Sequence, residues 1–169
     1  IEAHLFQDRD GTPYLYWGGW RHAVMARMSD DLLGFDSEIV EITPQDYVEG
    51  PFMVRMEDDY LFLWSEGSWG DPTYRVAYAR SDSPWGPFER RGTLLESDPA
   101  IATSAGHCSV LRLPGSKNHI LAYHRRPLGR TGRDERVVCM DWLEFDANGD
   151  PIPVRMTHEG VRVPGSDGA

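Results

Sequence analysis

Glycine and proline interrupt this sequence so often that a long helix is not expected anywhere in it. The chain of 169 residues contains 17 Gly and 12 Pro, and the runs between them are short and rich in aromatic and β-branched side chains. Such runs, bounded by turn residues, are typical of β-strands. The strongest helix candidate, residues 29–35, is short and ends beside Gly34, so we interpret it as a turn or loop. The sequence therefore predicts an all-β fold.

Three consecutive segments repeat the same order of four predicted strands. In the first segment these strands cover residues 1–6, 14–17, 22–28 and 39–42. In the second they cover residues 48–53, 60–64, 74–79 and 88–95, and in the third residues 106–111, 120–123, 136–142 and 153–157. Four-stranded units that recur in this way are typical of the blades of a β-propeller. We expect a single partial propeller domain, with blades at residues 1–47, 48–104 and 105–163 and a tail at 164–169.

One polar residue stands at the head of the first strand of each segment. These residues are Glu2, Glu49 and His107, and the heads are 47 and 58 residues apart. From each head to the start of the second strand the distance is 12, 11 and 13 residues. The first strand of a propeller blade runs beside the central axis, so we expect the three side chains to face one another there.

Three blades do not close a ring, since propellers have about four to eight blades. An open arc would expose sheet faces and unpaired edges, which favour aggregation. The sequence also enters its first strand directly at Ile1. We therefore expect the missing blades to come from a segment before Ile1, from a second chain or from a homo-oligomer.

The charge of the chain narrows the choice of partners. The formal net charge is −10 and the isoelectric point about 4.9, which disfavours nucleic acid and anionic membrane surfaces as partners. No apolar run approaches the roughly 20 residues of a membrane-spanning helix. Six Trp residues suit a carbohydrate site, where flat rings stack on sugar faces.

Two of the strand heads carry carboxylates, and cleavage of a glycosidic bond needs carboxyl groups. One of them is a protonated acid for the leaving oxygen, and a second activates water or attacks the sugar. Glu49 and Glu2 head neighbouring inner strands, so they fit an acid and a carboxylate that raises its pKa by charge repulsion. A glutamate at the end of a strand equally fits a solvated or salt-bridged side chain.

Several blocks of the sequence resemble one enzyme family when they are taken in order. They are Ile1–Phe6 with Asp8–Gly11 and Tyr14–Gly18, then Glu49-Gly50-Pro51, Ser81–Pro87, Gly106–Ser109, Tyr123–Arg126 and Arg136–Cys139. Together they resemble the C-terminal part of glycoside hydrolase family 43, five-bladed propellers that act on arabinose- and xylose-containing polysaccharides. The resemblance runs almost from end to end.

The resemblance implies roles for the two glutamates. Glu49 matches the general acid, and Glu2 matches the carboxylate that tunes it, although the family usually has Asp at the second position. The longer side chain of Glu2 can displace the carboxylate by about one carbon–carbon bond. The general base of the family is an Asp in the first blade, which this chain does not include. Asp8 and Asp10 do not replace it, because both belong to a predicted hairpin turn at the far end of the strand.

The resemblance also implies ligands for a cation and for the sugar. His107 matches a histidine that helps to hold a central cation, often calcium, through waters; the alternative is a hydrogen-bonded core histidine. Arg136 matches an arginine that reaches the substrate, and the alternative is a surface salt bridge. Trp17 and Trp69 are our candidates for the sugar subsite, chosen from a set that also includes Trp20 and Trp64. The alternative for these rings is packing between blades.

We therefore expect an inverting glycosidase that acts on xylosyl or arabinofuranosyl linkages of xylo- or arabino-oligosaccharides. A β-xylosidase or α-L-arabinofuranosidase is favoured over an endo-arabinanase. Two alternatives remain open at this point. The chain is a non-catalytic carbohydrate-binding propeller piece, or two copies assemble and share one site.

Overall fold

A computed structural model of the protein describes residues 2–132 and 134–162, which form eleven β-strands and no helix. The strands are β1 (Glu2–Gln7), β2 (Pro13–Gly19), β3 (His22–Arg27), β4 (Val40–Glu41), β5 (Glu49–Arg55), β6 (Tyr60–Glu66), β7 (Arg75–Ser81), β8 (Arg90–Leu95), β9 (Ala102–Arg112), β10 (His119–Pro127) and β11 (Val137–Leu143). Residues 29–35 form a loop, as predicted. In the described part of the chain there is no helix with the length and apolarity that a membrane crossing requires.

The strands form three sheets, and each sheet corresponds to one predicted segment. The strand orders are β1-β2-β3-β4, β5-β6-β7-β8 and β11-β10-β9. Sequential strands are neighbours throughout, which is the meander that short connections favour. The prediction of an all-β fold built from blade-like sheets is confirmed.

The predicted fourth strand of the third segment, residues 153–157, is wrong. The third sheet has three strands within the described residues, and residues 152–157 have no regular structure. Pro151 and Pro153 lack the N–H groups that a ladder with β11 would need. The segment is held instead by Val154, whose N–H donates to the Leu94 carbonyl at 2.7 Å, and by Thr157, whose hydroxyl donates to Asp141 at 2.5 Å.

Contacts within the chain define two compact units. The first consists of Ile1–Gly67 and Val76–Thr93, and the second of Ser68–Arg75 and Leu94–Ala169. In the first unit β1 and β2 pack against β5, and aromatic rings fill the space between the two sheets. Phe62 stacks on Phe88 with ring centroids 4.3 Å apart, and Tyr16 and Trp64 are completely buried. Burial of such rings is the main source of stability in a core of this kind.

The second unit is organised around the ring of Tyr74, which packs against the backbone of β9. A Cβ atom at Gly106 would lie 2.1 Å from the Tyr74 ring, so only glycine fits there. The other face of Tyr74 stacks on His124 of β10, with centroids 5.6 Å apart and planes 12° apart. The pairing of β9 with β10 shifts register twice nearby, on both sides of His124. These β-bulges bend β9 around the ring and turn selected side chains away from the regular ladder.

The close approach of Gly106 and Tyr74 makes Gly106→Ala a test of the second unit. The added methyl group would overlap the ring, so we expect a loss of about 2 kcal/mol or more in the free energy of unfolding. Gly34→Ala is the control, because its Cβ would meet nothing closer than the Ser29 hydroxyl at 3.7 Å. Denaturant melts of the two variants measure the difference, and equal stability would contradict the packing described here.

Candidate active site

A β-bulge brings Glu49 to the beginning of β5 with an unusual backbone. Glu49 pairs with Ser65, whereas Phe52 pairs with Leu63, so Gly50 and Pro51 lie outside the regular register. Gly50 has a φ of 68°, a left-handed conformation that glycine adopts without strain. Pro51 has no N–H to leave unpaired. The sequence Glu-Gly-Pro therefore produces a local bend at the strand head, and the Glu49 side chain is half-buried there.

Glu2, at the head of β1, is hydrogen-bonded to the same bulge. The Gly50 N–H donates to the Glu2 carboxylate oxygen Oε2 at 3.1 Å. Glu2 itself pairs with Gly18 of β2 and is half-buried. The structure thus places the two predicted carboxylates at the heads of adjacent strands of the first unit. The backbone amide that follows Glu49 is the direct link between them.

His4 fixes β1 against β5 two residues further along. Its ring stacks on Phe52 with centroids 3.8 Å apart, and its Nε2 lies 3.0 Å from the Met53 carbonyl oxygen. Burial lowers the pKa of His4, and the hydrogen bond to Met53 opposes that effect only in part. A neutral imidazole in this position sets the spacing of the two strands that carry Glu2 and Glu49.

Asp8 and Asp10 lie at the other end of β1, in the turn that precedes β2. Six residues of strand separate this turn from Glu2, a distance of roughly 20 Å. Asp8 accepts a hydrogen bond from the Tyr60 hydroxyl at 2.5 Å and lies 3.4 Å from the Arg55 guanidinium. Its carboxylate therefore joins two hairpins, and it does not take part in the carboxylate pair.

Trp17 lies on the opposite face of the first sheet from Glu2. Glu2 pairs with Gly18, so Trp17 has the other parity of β2, and its ring stacks on Phe35 with centroids 5.6 Å apart. Its role in sugar binding stays a prediction.

Trp20, which was not among our chosen site residues, lies in the hairpin next to the carboxylates. It connects β2 and β3 together with Arg21, and both residues have positive φ, 51° and 69°, as in a type I′ turn. The Arg21 N–H donates to the Val48 carbonyl at 3.1 Å, which fixes this hairpin beside the residue before Glu49. The Trp20 side chain is 93% exposed. A tryptophan held in a strained turn and left in solvent is unusual, and no sequence signal except its aromatic nature marks it.

The second unit holds the other predicted residues and brings two of them together. Arg136 lies over the ring of Trp69, with its guanidinium carbon 5.8 Å from the ring centroid. Its Nη1 lies 3.4 Å from Nε2 of His124. Arg126 is buried and donates to the carbonyl oxygens of Trp69 and Gly70, at 3.4 and 2.8 Å. Trp69 and Arg136 thus form one platform on a loop whose backbone is tied down.

His107 belongs to the same unit and has a φ of 50°, which the β9 bulges impose. It is half-buried, and its ring lies 6.4 Å from that of His124. An imidazole nitrogen is a poor direct ligand for calcium, which prefers oxygen, so His107 suits a calcium site only through waters. The predicted convergence of His107 with Glu2 and Glu49 stays a prediction, as does its role as a cation ligand.

His124 is the residue of the second unit that sequence reasoning left without a role. Burial first, and then the positive charge of Arg136, lower the pKa of His124 to about 4. The ring is therefore neutral at neutral pH, and its Nε2 can accept a hydrogen bond from Arg136. In this state it orients the guanidinium over Trp69.

The low pKa of His124 predicts a pH-dependent contribution to stability. The unfolded chain binds a proton near the ordinary value of 6.5, and the folded protein near 4, so stability falls as the pH drops through that window. The loss is about 1 kcal/mol after allowance for partial exposure. Chemical denaturation of the protein and of His124→Gln at several pH values measures it. Parallel curves for the two proteins would show that His124 does not titrate in this way.

Comparison with known proteins assigns this arrangement to a family. The sequence model described as Glycosyl hydrolases family 43 matches residues 1–151. A protein named Beta-D-galactofuranosidase xynD from Aspergillus niger is 43% identical over 95% of the chain and 47% of its own length. A protein named Xylosidase/arabinosidase from Bacteroides ovatus is 25% identical over 91% of the chain and 57% of its own length. The chain spans about half the length of these curated relatives.

Solved structures agree with the sequence relatives. A structure titled as a glycoside hydrolase superposes with a TM-score of 0.82 at 31% identity, over 95% of this chain and 36% of its own. A thermostable family-43 glycoside hydrolase superposes with a TM-score of 0.80 at 25% identity, over 96% of this chain and 61% of its own. The family resemblance and the propeller fold class predicted from the sequence are confirmed. The chain belongs to family 43 of the glycosyl hydrolases.

Proposed function

We propose that the protein provides the acid half of an inverting glycosidase site that acts on xylosyl or arabinofuranosyl linkages of hemicellulose. The observation that carries this proposal is the pair formed by Glu49 and Glu2 at the heads of adjacent strands, linked by the Gly50 N–H. In this proposal Glu49 protonates the leaving oxygen. Glu2 supplies the nearby negative charge that favours the protonated form of an acid.

The proposed reaction needs a second carboxylate that activates water. Inverting enzymes hold it about 6.5–9.5 Å from the acid, so that a water molecule fits between it and the anomeric carbon. Asp8 and Asp10 are excluded by their position at the far end of β1. We assign the base to an Asp outside this chain. Water then attacks from one face of the sugar while Glu49 delivers its proton to the oxygen that departs from the other.

The exposed hairpin offers a surface for a sugar ring. Trp20 presents a large flat ring to solvent, and the Arg21–Val48 hydrogen bond fixes the hairpin beside the strand head of Glu49. The proposal assigns Trp20 to a subsite that stacks on the sugar next to the scissile bond. Gly18 supports this geometry, because a Cβ there would lie 2.0 Å from the His22 carbonyl oxygen and would open the hairpin.

The second unit contributes, in this proposal, the cationic part of the site. Arg136 on Trp69 suits the hydroxyl groups of a sugar, because a guanidinium offers five donors in a fixed plane. His107 is the candidate for contact with a central calcium ion through waters, and such an ion would supply positive charge near the reacting sugar. No step of the proposed reaction passes through it.

The remaining blades are the proposed partner of the chain. The face of the first sheet that carries Trp17 also exposes apolar side chains, among them Leu5, Phe35 and Val40. An apolar face of this kind needs a cover. We assign the cover to further propeller blades, carried by the same polypeptide, by a second chain or by another copy.

A galactofuranosyl substrate is the second candidate, and the 43% identity to a protein named as a galactofuranosidase favours it. β-D-Galactofuranose has the ring configuration of α-L-arabinofuranose with one more hydroxymethyl group, so one site can accept both. Rates on nitrophenyl β-D-galactofuranoside, β-D-xyloside and α-L-arabinofuranoside distinguish the candidates. Sugar binding without hydrolysis of any of the three would favour the alternative of a non-catalytic carbohydrate-binding protein.

The acid role of Glu49 predicts a dependence on the leaving group. In the catalytically competent protein, Glu49→Gln should lower kcat about 10²- to 10⁴-fold on glycosides with poor leaving groups, since these need a proton. Dinitrophenyl glycosides, which leave without one, should lose far less.

Glu57→Gln is the matched control for this measurement, because Glu57 is exposed in the turn after β5, at the opposite end of the strand from Glu49. It should retain the activity of the unchanged protein on both kinds of substrate. An equal loss on both leaving groups in Glu49→Gln would remove Glu49 from the role of acid.

The stacking role of Trp20 predicts weaker binding in Trp20→Ala. Loss of one aromatic platform should reduce sugar affinity about five- to tenfold, the equivalent of about 1 kcal/mol or slightly more. Calorimetric titration with xylo- and arabino-oligosaccharides measures it. Trp20→Phe keeps an aromatic face and should recover part of the affinity, whereas equal affinities for all three proteins would exclude Trp20 from the subsite.

A further inference from the structure

Tyr47 is a buried tyrosine whose hydroxyl group has no hydrogen-bond partner among the described residues. The side chain is only 2% exposed and belongs to the aromatic core of the first unit. A buried hydroxyl that loses its water without gaining a partner costs about 1–3 kcal/mol. Other core tyrosines avoid this cost: the hydroxyl of Tyr16 donates to the Pro84 carbonyl at 2.7 Å, and that of Tyr60 donates to Asp8. The unpaired group at Tyr47 therefore calls for a specific explanation.

The position of Tyr47 connects its hydroxyl with the carboxylate pair. Tyr47 lies two residues before Glu49, and the intervening Val48 is fixed on both sides. The Val48 N–H donates to the Ser65 carbonyl at 2.9 Å, and its own carbonyl accepts from Arg21. Burial first, and then the negative charges of Glu2 and Glu49, raise the pKa of Tyr47. The hydroxyl consequently stays protonated at any pH at which a glycosidase works, and it is a permanent donor.

Glu2 is the acceptor that this donor fits. One of its carboxylate oxygens, Oε2, takes the hydrogen bond from Gly50, and the other accepts none from the described residues. An ionised carboxylate can accept about four hydrogen bonds. The side chain of Glu2 has rotatable bonds through which the free oxygen can turn toward a hydroxyl that is itself held in place by the core. An unpaired donor and an incompletely paired acceptor thus occur in the same part of one unit.

We propose that Tyr47 is a positioning residue, whose hydroxyl donates a hydrogen bond to the Glu2 carboxylate and holds it against the bulge that carries Glu49. Together with the Gly50 N–H it gives Glu2 two donors from two directions. A carboxylate held in this way keeps both its charge and its place beside the acid. The catalytic part of this inference depends on the proposed function, whereas the hydrogen bond itself does not.

The test is Tyr47→Phe, which deletes one oxygen atom and keeps the ring. If the hydroxyl bonds to Glu2, the melting temperature falls by about 3 °C, since a hydrogen bond is lost. In NMR spectra at fixed neutral pH, the Gly50 amide proton and the Glu2 carboxyl carbon also change position. If the hydroxyl is only a buried unpaired group, its removal leaves the melting temperature unchanged or raises it, and those two resonances stay in place. That result would overturn the proposal.

Tyr16→Phe is the matched control, because it makes the same change in the same core to a hydroxyl that bonds to a backbone carbonyl. It should lower the melting temperature and leave the resonances of Gly50 and Glu2 in place. Neither measurement needs enzymatic activity, so a failure of the proposed function does not affect them.

Kinetics test the positioning role in the competent enzyme. Tyr47→Phe should lower kcat about tenfold with little change in KM, because an interaction that orients the acid acts on the transition state. The NMR changes without any change in kcat would confirm the hydrogen bond and exclude the positioning role. A change in KM alone would assign the hydroxyl to substrate binding and overturn the proposal.

Discussion

The hydrogen bond from the Gly50 N–H to Glu2 is the interaction on which the candidate site depends. It exists because the β5–β6 ladder skips a residue at Gly50 and Pro51, so the amide is free to point toward β1. With an ordinary β-strand at this position the amide would pair with β6, and Glu49 would follow the regular alternation of the sheet. The bulge therefore settles two matters at once. It directs the Glu49 side chain, and it gives the neighbouring carboxylate a donor.

In the second unit a contact between a ring and the backbone has the same organising effect. Tyr74 lies against Gly106 on one side and against His124 on the other, and His124 in turn accepts from Arg136. The guanidinium over Trp69 is thus held through a series of rigid groups that starts at a position where no side chain fits. Each unit uses a glycine to let the backbone come close, and each builds a polar group of the proposed site on that approach.

Much of this fold could be read from the sequence, because its turns are marked by Gly, Pro and Asp. Eleven of twelve predicted strands exist, and the heads of the first two segments are neighbours, as the spacing required. The missing strand contains Pro153 and follows Pro151, so the lack of donors outweighed the periodicity. The parity of β2 already separates Trp17 from Glu2. The hairpin at Trp20 and Arg21 could not be foreseen, since neither residue is a usual one for positive φ.

Backbone strain is concentrated where the function is proposed. Among the described non-glycine residues, six have a positive φ: Trp20, Arg21, Leu32, Asp46, Ser104 and His107. Trp20 and Arg21 form the hairpin beside the acid, Asp46 precedes Tyr47, and His107 heads the third segment. Each such residue costs of order 1 kcal/mol, which the surrounding packing has to offset. Leu32, in the loop of residues 29–35, has no such connection. A chain selected for stability alone would place Gly or Asn at these turns. The retention of bulky or charged side chains there favours a requirement on where those side chains point, and that requirement is what a sugar-binding site imposes.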